Sequence, residues 1–178
     1  RLGAADAELR LDGEDLTLIS LAVDGNPWSH YREEEGALVL SQLPENFTLT
    51  LINDIHPDKN TALEGLYKSG DALCTQCEAE GFRHITWYLD RPDVLARFTT
   101  TIIADATKYP FLLSNGNKLE SGRHEDGRHW VKWQDPFPKP CYLFALVAGD
   151  FDVLRDSFTT RSGRDVALEI FVDRGNLD

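Results

Sequence analysis

Hydrophobic and polar side chains alternate along much of this chain with a period of two residues. Residues 47–51 place Phe47, Leu49 and Leu51 on one face and two threonines on the other, which is typical of a half-buried β-strand. Residues 98–103 are rich in β-branched side chains and predict another strand. The same reasoning predicts further strands over residues 16–23, 37–43, 129–133, 141–147 and 166–172.

Turn signals separate these predicted strands, and the clearest are Asp24-Gly25, Asn115-Gly116, Asp126-Gly127 and Ser162-Gly163. One short helix is predicted over residues 92–97, because proline is favoured in the first turn of a helix. Many short strands joined by such turns indicate a mainly β fold. We expect residues 1–178 to form one domain, an antiparallel β-sandwich or saddle of sheets with at most one short helix.

Composition narrows the class of function. The chain has 178 residues, of which 42% are hydrophobic and 27% charged, which is ordinary for a globular domain with a buried core. A net charge of −12 argues against a nucleic-acid partner, which needs clustered Lys and Arg.

No apolar run approaches the roughly 18–20 residues of a membrane-spanning helix, so no membrane partner is expected. Three cysteines, an odd number, fit a reducing compartment, and we expect a cytoplasmic location.

Two histidines, His124 and His129, frame a segment that superficially resembles a zinc-binding helix. Such a helix places its histidines four residues apart, so that both imidazoles leave the same face, whereas the spacing here is five. Asp126-Gly127 lies between them and is a strong hairpin signal. The sequence therefore predicts a surface turn with two solvated histidines. The other histidines, at positions 30, 56 and 84, are solitary in the sequence.

Cys74 and Cys77 form a C-x-x-C pattern, which suggests redox chemistry or zinc binding. The acidic residues Glu78 and Glu80 follow and would raise the pKa of a thiol, whereas redox chemistry needs a lowered one. In an extended segment the two Cα atoms would lie about 10 Å apart at roughly 3.3 Å per residue, beyond the roughly 7 Å limit for a disulfide. A zinc ribbon needs a second ligand pair, and Cys141 is alone, so we expect free structural thiols.

Gln76 and Glu78 form a weaker pattern. Residues i and i+2 of a strand share a face, so these two side chains should project together while Cys77 points into the core. An amide beside a carboxylate can hold a small cationic group, although an exposed polar strand face is the commoner origin of such a pair. The residues alone leave both interpretations open.

Longer runs of sequence resemble a known family. Residues 74–84, 88–93, 109–117 and 135–149 are similar to the N-terminal domain of the gluzincin zinc aminopeptidases, and most closely to their bacterial aminopeptidase N branch. That family has the pattern Thr-Gln-x-Glu, then Arg, then Asp-x-Pro. The matching positions in this chain are Thr75, Gln76, Glu78, Arg83, Asp90 and Pro92.

The resemblance implies roles for single residues. Glu78 would contribute to binding the free α-ammonium group of a peptide substrate, and Gln76 would line the pocket for the first side chain. A cis peptide bond is implied directly after Glu78. Neither the His-Glu-x-x-His zinc motif of the family nor its Gly-x-Met-Glu-Asn segment occurs in the sequence.

We therefore expect a fragment of a zinc metallo-aminopeptidase of the alanyl aminopeptidase type. Its partner would be a zinc catalytic domain of the same polypeptide beyond residue 178, and the substrates of the whole enzyme would be peptides with a free N-terminus. The chain alone would contain neither a catalytic residue nor a metal site, and we expect it to be inactive.

The alternative is a free-standing β-sandwich module that binds peptide or carbohydrate. The four tryptophans could stack against sugar rings, although tryptophan in strands is more often part of the core. They are Trp28, Trp87, Trp130 and Trp133. Continuity separates the alternatives, because a binding module should end in a flexible linker, whereas residues 172–178 resemble a strand that runs into further fold.

Overall fold

The computed structural model describes residues 8–177, and most of them lie in short β-strands. Two 3₁₀ turns, Gly81–His84 and Cys141–Leu143, are the helical elements of this range. In chain order the strands are β1 (Leu9–Asp12), β2 (Thr17–Val23), β3 (Asn26–Pro27), β4 (Tyr31–Glu34), β5 (Ala37–Leu40), β6 (Leu49–Asp54), β7 (Gly65–Ser69), β8 (Ala72–Gln76), β9 (Ala96–Asp105), β10 (Phe111–Ser114), β11 (Asn117–Arg123), β12 (Arg128–Lys139), β13 (Leu146–Gly149), β14 (Phe151–Thr159) and β15 (Asp165–Asp173).

The strands pair antiparallel in five small sheets within the described range. Their orders are β1-β5-β4, β3-β2-β6, β10-β13-β8-β7, β11-β12-β9 and β14-β15. The predicted fold class, mainly β with antiparallel sheets, is confirmed.

Three buried clusters form the core. The first contains Leu11, Leu21, Leu38, Leu40 and Trp87, and the second contains Ile102, Leu112, Val131 and Ala148. In the third, Cys77, Phe82 and Cys141 are buried and packed against aromatic rings. The ring of Phe82 meets those of Tyr88, Phe98 and Phe144 edge-on at centroid distances of 5.0, 5.9 and 5.3 Å.

Most predicted strands and turns are found within a few residues of their predicted positions, but β6 begins at Leu49 and β5 ends at Leu40. Asp24 and Gly25 both have positive φ, the geometry that a two-residue hairpin turn requires. Gly116 instead joins β10 to β11, which belong to different sheets. A Cβ atom at this position would lie 2.1 Å from the backbone oxygen of Gln134, so the close approach of these two backbone segments requires glycine.

Two predicted elements are wrong. The strand expected over residues 141–147 begins only at Leu146, because Cys141 turns into the third cluster and Phe144 N–H closes a turn onto its carbonyl. The helix expected over residues 92–97 is a turn followed by β9. A helix of six residues gains too few hydrogen bonds to offset the unfavourable free energy of its nucleation. Ala96 instead pairs with Lys139 of β12 in the sheet.

A buried carboxylate, Asp90, joins the third cluster to its surroundings. Its side chain is 1% exposed. Oδ2 accepts hydrogen bonds from the backbone N–H and from Nε of Arg83, at 3.1 and 3.0 Å, and Oδ1 accepts one from Sγ of Cys141 at 2.9 Å. The backbone N–H of Asp90 in turn donates to Asp12 at 3.3 Å. Every carboxylate oxygen of Asp90 is therefore paired, as a buried charge requires.

We expect Asp90→Ala to lower the free energy of unfolding by about 3 kcal/mol, because it leaves Nε and the backbone N–H of Arg83 without their acceptor. Urea denaturation monitored by tryptophan fluorescence measures this. The matched control is Asp93→Ala, which removes an exposed ion pair with Arg91 and should change stability by less than about 0.5 kcal/mol. Equal losses in both variants would contradict the role of Asp90.

The three cysteines are free thiols, as expected, with Cys77 and Cys141 buried and Cys74 half-buried. Burial, together with the nearby charge of Asp90, raises the pKa of Cys77 to about 12. Burial and the hydrogen bond to Asp90 raise the pKa of Cys141 to about 12 as well. These values disfavour redox chemistry, which proceeds through the thiolate.

We expect Cys77 and Cys141 to resist alkylation at pH 8 in the folded chain. A pKa of about 12 leaves only about one thiol in ten thousand as thiolate at this pH. Mass spectrometry of maleimide-treated protein should find both residues unmodified under native conditions and modified in urea. Native labelling of either thiol as fast as in urea would show that the cluster is open to solvent.

Candidate functional site

Gln76 and Glu78 lie where β8 leaves its sheet. Gln76 is the last residue of β8 and pairs with Gly65 of β7. Cys77 is buried, whereas Gln76 and Glu78 are both exposed, so the chain alternates between core and solvent here as predicted. The amide of Gln76 donates a 3.2 Å hydrogen bond from Nε2 to the backbone oxygen of Glu78. The side chain of Gln76 is therefore tied to the backbone of Glu78.

The carboxylate of Glu78 makes no hydrogen bond or ion pair with any residue in the range 8–177. Its neighbour Glu80 differs, since its Oε2 lies 3.5 Å from Nη1 of Arg83. The peptide bond between Glu78 and Ala79 is cis, which confirms what the resemblance implied. Glu78 thus offers an unpaired negative charge at a fixed place on the surface.

The loop that follows Glu78 is held at both ends. Cys77 anchors its start in the third cluster, and Phe82 anchors its end in the same cluster. Between them, the backbone N–H of Gly81 donates to the carbonyl of Cys77 at 2.9 Å. A Cβ at Gly81 would lie 2.3 Å from the carbonyl oxygen of Gln76, so only glycine lets the loop fold back this closely on β8.

His84 sits beside this loop and is not solitary, contrary to the sequence-based interpretation. Its side chain is 9% exposed, and its Nε2 lies 3.4 Å from Oε2 of Glu64 and 3.6 Å from Oε2 of Glu14. Its Nδ1 lies 3.7 Å from Oδ2 of Asp15. Gly65, the sheet partner of Gln76, also abuts His84, since a Cβ there would lie 2.6 Å from the Cβ of His84. The partners are far apart in sequence, so no local pattern reveals this cluster.

His124 and His129 flank the turn of the β11–β12 hairpin, as predicted. His124 is exposed, but His129 is half-buried and its Nε2 lies 2.7 Å from the carbonyl oxygen of Tyr109. The expectation that both are solvated is therefore wrong for His129, because its ring nitrogen contacts the Tyr109 carbonyl instead of water. Across residues 8–177, no group of three or more His, Cys, Asp or Glu side chains is arranged to hold a metal ion.

The tryptophans serve mainly as packing residues. Trp87 is buried in the first cluster, Trp28 packs against it, and Trp133 donates its indole N–H to the carbonyl of Leu112 at 3.0 Å. A cleft of about 490 Å³ is lined in part by Trp130 and Trp133, and it does not include Gln76 or Glu78. Within the described range, no helix is long and apolar enough to cross a membrane.

Comparison with known sequences identifies relatives along the whole chain. The peptidase M1 N-terminal domain family matches residues 6–143. Aminopeptidase N of Escherichia coli (strain K12) is 76% identical over 178 residues, covering 100% of this chain and 20% of that protein. Aminopeptidase N of Haemophilus influenzae is 57% identical over 181 residues, covering 100% of this chain and 21% of that protein.

Solved structures agree with the sequence relatives. Aminopeptidase A of Legionella pneumophila, in complex with aspartic acid, has a TM-score of 0.88 at 39% identity over 94% of this chain and 20% of that one. An M1 zinc metallopeptidase from Deinococcus radiodurans has a TM-score of 0.76 at 15% identity, over 94% of this chain and 40% of that one, which shows a shared fold.

The chain spans about a fifth of the length of the sequence relatives described above. The match to a domain family and the match to these longer proteins nevertheless agree on one assignment. This chain belongs to the peptidase M1 N-terminal domain family.

Proposed function

We propose that this chain is the N-terminal β-domain of a zinc aminopeptidase, in which Glu78 binds the free α-ammonium group of the substrate and Gln76 lines the pocket for its first residue. The observation that carries the proposal is the unpaired carboxylate of Glu78, held beside Gln76 by a loop with both ends buried. Membership of the M1 N-terminal domain family and the names of the relatives support the reaction class.

The chemistry suits an exopeptidase, which must recognise the end of a peptide. A charge-assisted hydrogen bond from the terminal ammonium to a carboxylate contributes on the order of 1.5–3 kcal/mol. Because Glu78 has no ion pair within residues 8–177, no existing interaction is lost when it binds a cation.

In this proposal, the zinc ion is bound by another domain of the same polypeptide. When bound there, it would polarise the scissile carbonyl. Residues 8–177 do not provide a ligand set that fits a metal ion, so this chain's own residues are assigned only to substrate binding. The proposed partner is accordingly a zinc catalytic domain, and the proposed substrates are peptides with a free N-terminus.

A cytoplasmic location is supported by the three free thiols.

In the full-length enzyme, we expect Glu78→Gln to lower kcat/KM for an alanine anilide by at least about tenfold, equivalent to about 1.4 kcal/mol. The substitution keeps the shape of the side chain and removes the charge that pairs with the substrate ammonium. Steady-state kinetics, with circular dichroism to verify folding, measures the effect.

Glu80→Gln is the matched control, because Glu80 is an exposed acidic residue two positions along the same loop. We expect its kcat/KM to remain within about twofold of the parent value, since its carboxylate already lies near Arg83. Equal kinetics for Glu78→Gln and the parent enzyme would remove Glu78 from the substrate site.

The 178-residue chain alone should neither retain zinc nor hydrolyse an alanine anilide. The physical reason is that catalysis in this reaction class needs a bound metal, and residues 8–177 provide no suitable ligand group. Elemental analysis after zinc loading and gel filtration, together with an anilide assay of the same sample, tests this. Turnover that follows the protein through purification and is lost on chelation would contradict the expectation.

A further inference from the structure

The β14–β15 hairpin carries its exposed hydrophobic residues on one face. Its two strands pair in register from Phe151 opposite Asp173 to Thr159 opposite Asp165. Residues directly opposite each other in an antiparallel pair lie on the same face, and successive pairs alternate between the faces. The hairpin therefore has two faces of different composition.

The first face, here called the anchored face, attaches the hairpin to the rest of the chain. Near the base, the rings of Phe151 and Phe171 meet that of Phe111 at centroid distances of 6.3 and 5.3 Å. Further out, this face is polar, with an ion pair of 2.9 Å between Arg155 and Glu169. The apolar rings of this face are covered by packing within the domain, and its charged groups pair with each other or contact water.

The second face, here called the apolar face, exposes large hydrophobic side chains. They are Leu154, Phe158, Leu168 and Ile170, with 53, 59, 45 and 57% of their surface exposed. Val166, opposite Phe158, extends the apolar face toward the tip of the hairpin. Asp156, opposite Leu168, is a charged residue that lies on the same face between Leu154 and Phe158. Single exposed leucines are ordinary, but a contiguous set on one sheet face marks an interaction surface.

The apolar face is oriented by the packing of Phe151 and Phe171 on Phe111, and the hairpin base is closed by contacts between its own two ends. Nε and Nη2 of Arg174 each lie 2.6 Å from a carboxylate oxygen of Asp150. The backbone N–H of Gly175 donates to Oδ2 of Asp152 at 2.7 Å. A two-stranded hairpin is only marginally stable by itself, so a fixed base with an uncovered outer half indicates that further packing is needed.

We propose that the apolar face is covered by the segment of the same polypeptide that follows residue 178, as a docking surface between this domain and the catalytic domain. The inference rests on the proposed function. One comparison supports it: the chain covers only 20 and 21% of the length of its sequence relatives, so those proteins contain a long further segment.

A covalently linked segment is also the favoured occupant on physical grounds. The last strand of the hairpin ends at Asp173, close to residue 178. A segment attached so near acts at an effective concentration in the millimolar range, which a second copy of the chain would have to exceed to compete. The composition of the face suits such a partner, because it resembles the interior of a domain more than a surface for charged ligands.

Cysteine labelling of the full-length protein tests the proposal. Ile170→Cys reports on the apolar face, and Ala167→Cys, on the anchored face near the tip, is the matched control because Ala167 is also exposed here. We expect maleimide to label Ile170→Cys at least about tenfold more slowly than in the urea-unfolded protein, while Ala167→Cys is labelled faster than Ile170→Cys. Mass spectrometry of the hairpin peptide separates these signals from the native thiols.

A native labelling rate for Ile170→Cys within about twofold of the unfolded rate would overturn the proposal. So would protection that disappears on dilution, which would assign the apolar face to a second copy of the chain. Leu168→Cys repeats the test if the first variant does not fold. Aminopeptidase turnover of the same samples tests the proposed function separately. Protection without turnover would support docking and reject the aminopeptidase, whereas turnover without protection would do the reverse.

Discussion

A carboxylate withdrawn from water must find all its partners inside the protein, and among residues 8–177 Asp90 is the carboxylate under that constraint. Its partners come from elements that are far apart in sequence: the 3₁₀ turn that contains Arg83 and the second 3₁₀ turn that contains Cys141. The aromatic rings around Phe82 pack onto the same junction. Asp90 therefore links the two 3₁₀ turns around the third cluster, in which Cys77, the neighbour of Gln76, is buried.

This junction separates two kinds of residue in the proposed substrate site. Cys77 and Phe82 are buried and fix the loop, whereas Glu78, between them, projects outward with an unpaired charge. A binding carboxylate benefits from this arrangement, because its position is set by residues that do not compete for its oxygens. The glycine at position 81 contributes in the same way, since it lets the loop close on β8 without a side chain of its own.

Local patterns in the sequence predicted those parts of the fold that depend on local physics. Period-two alternation located most strands, and the Asp-Gly and Ser-Gly pairs located three of the hairpins. The predictions failed where a distant partner decides the conformation. Cys141 leaves the strand pattern to reach Asp90, and Ala96 pairs with Lys139 where a helix had been expected. The carboxylates around His84 were missed for the same reason, because Glu14 and Glu64 reach it only through the fold.

Partnered polar groups and buried hydrophobic groups mark the completed core, and exposed hydrophobic groups mark the surface where the domain lacks a packing partner. Around Asp90, each buried polar atom has a partner and each ring has a neighbour, as expected of a finished interior. The apolar face of the β14–β15 hairpin is the opposite case, because Leu154 and Ile170 are more than half exposed on a hairpin whose base packs on Phe111 through Phe151 and Phe171. Exposed hydrophobic surface of this kind has a free-energy cost of about 25 cal/mol per Å² in water, so a fixed apolar face is best explained by a surface that packs against it.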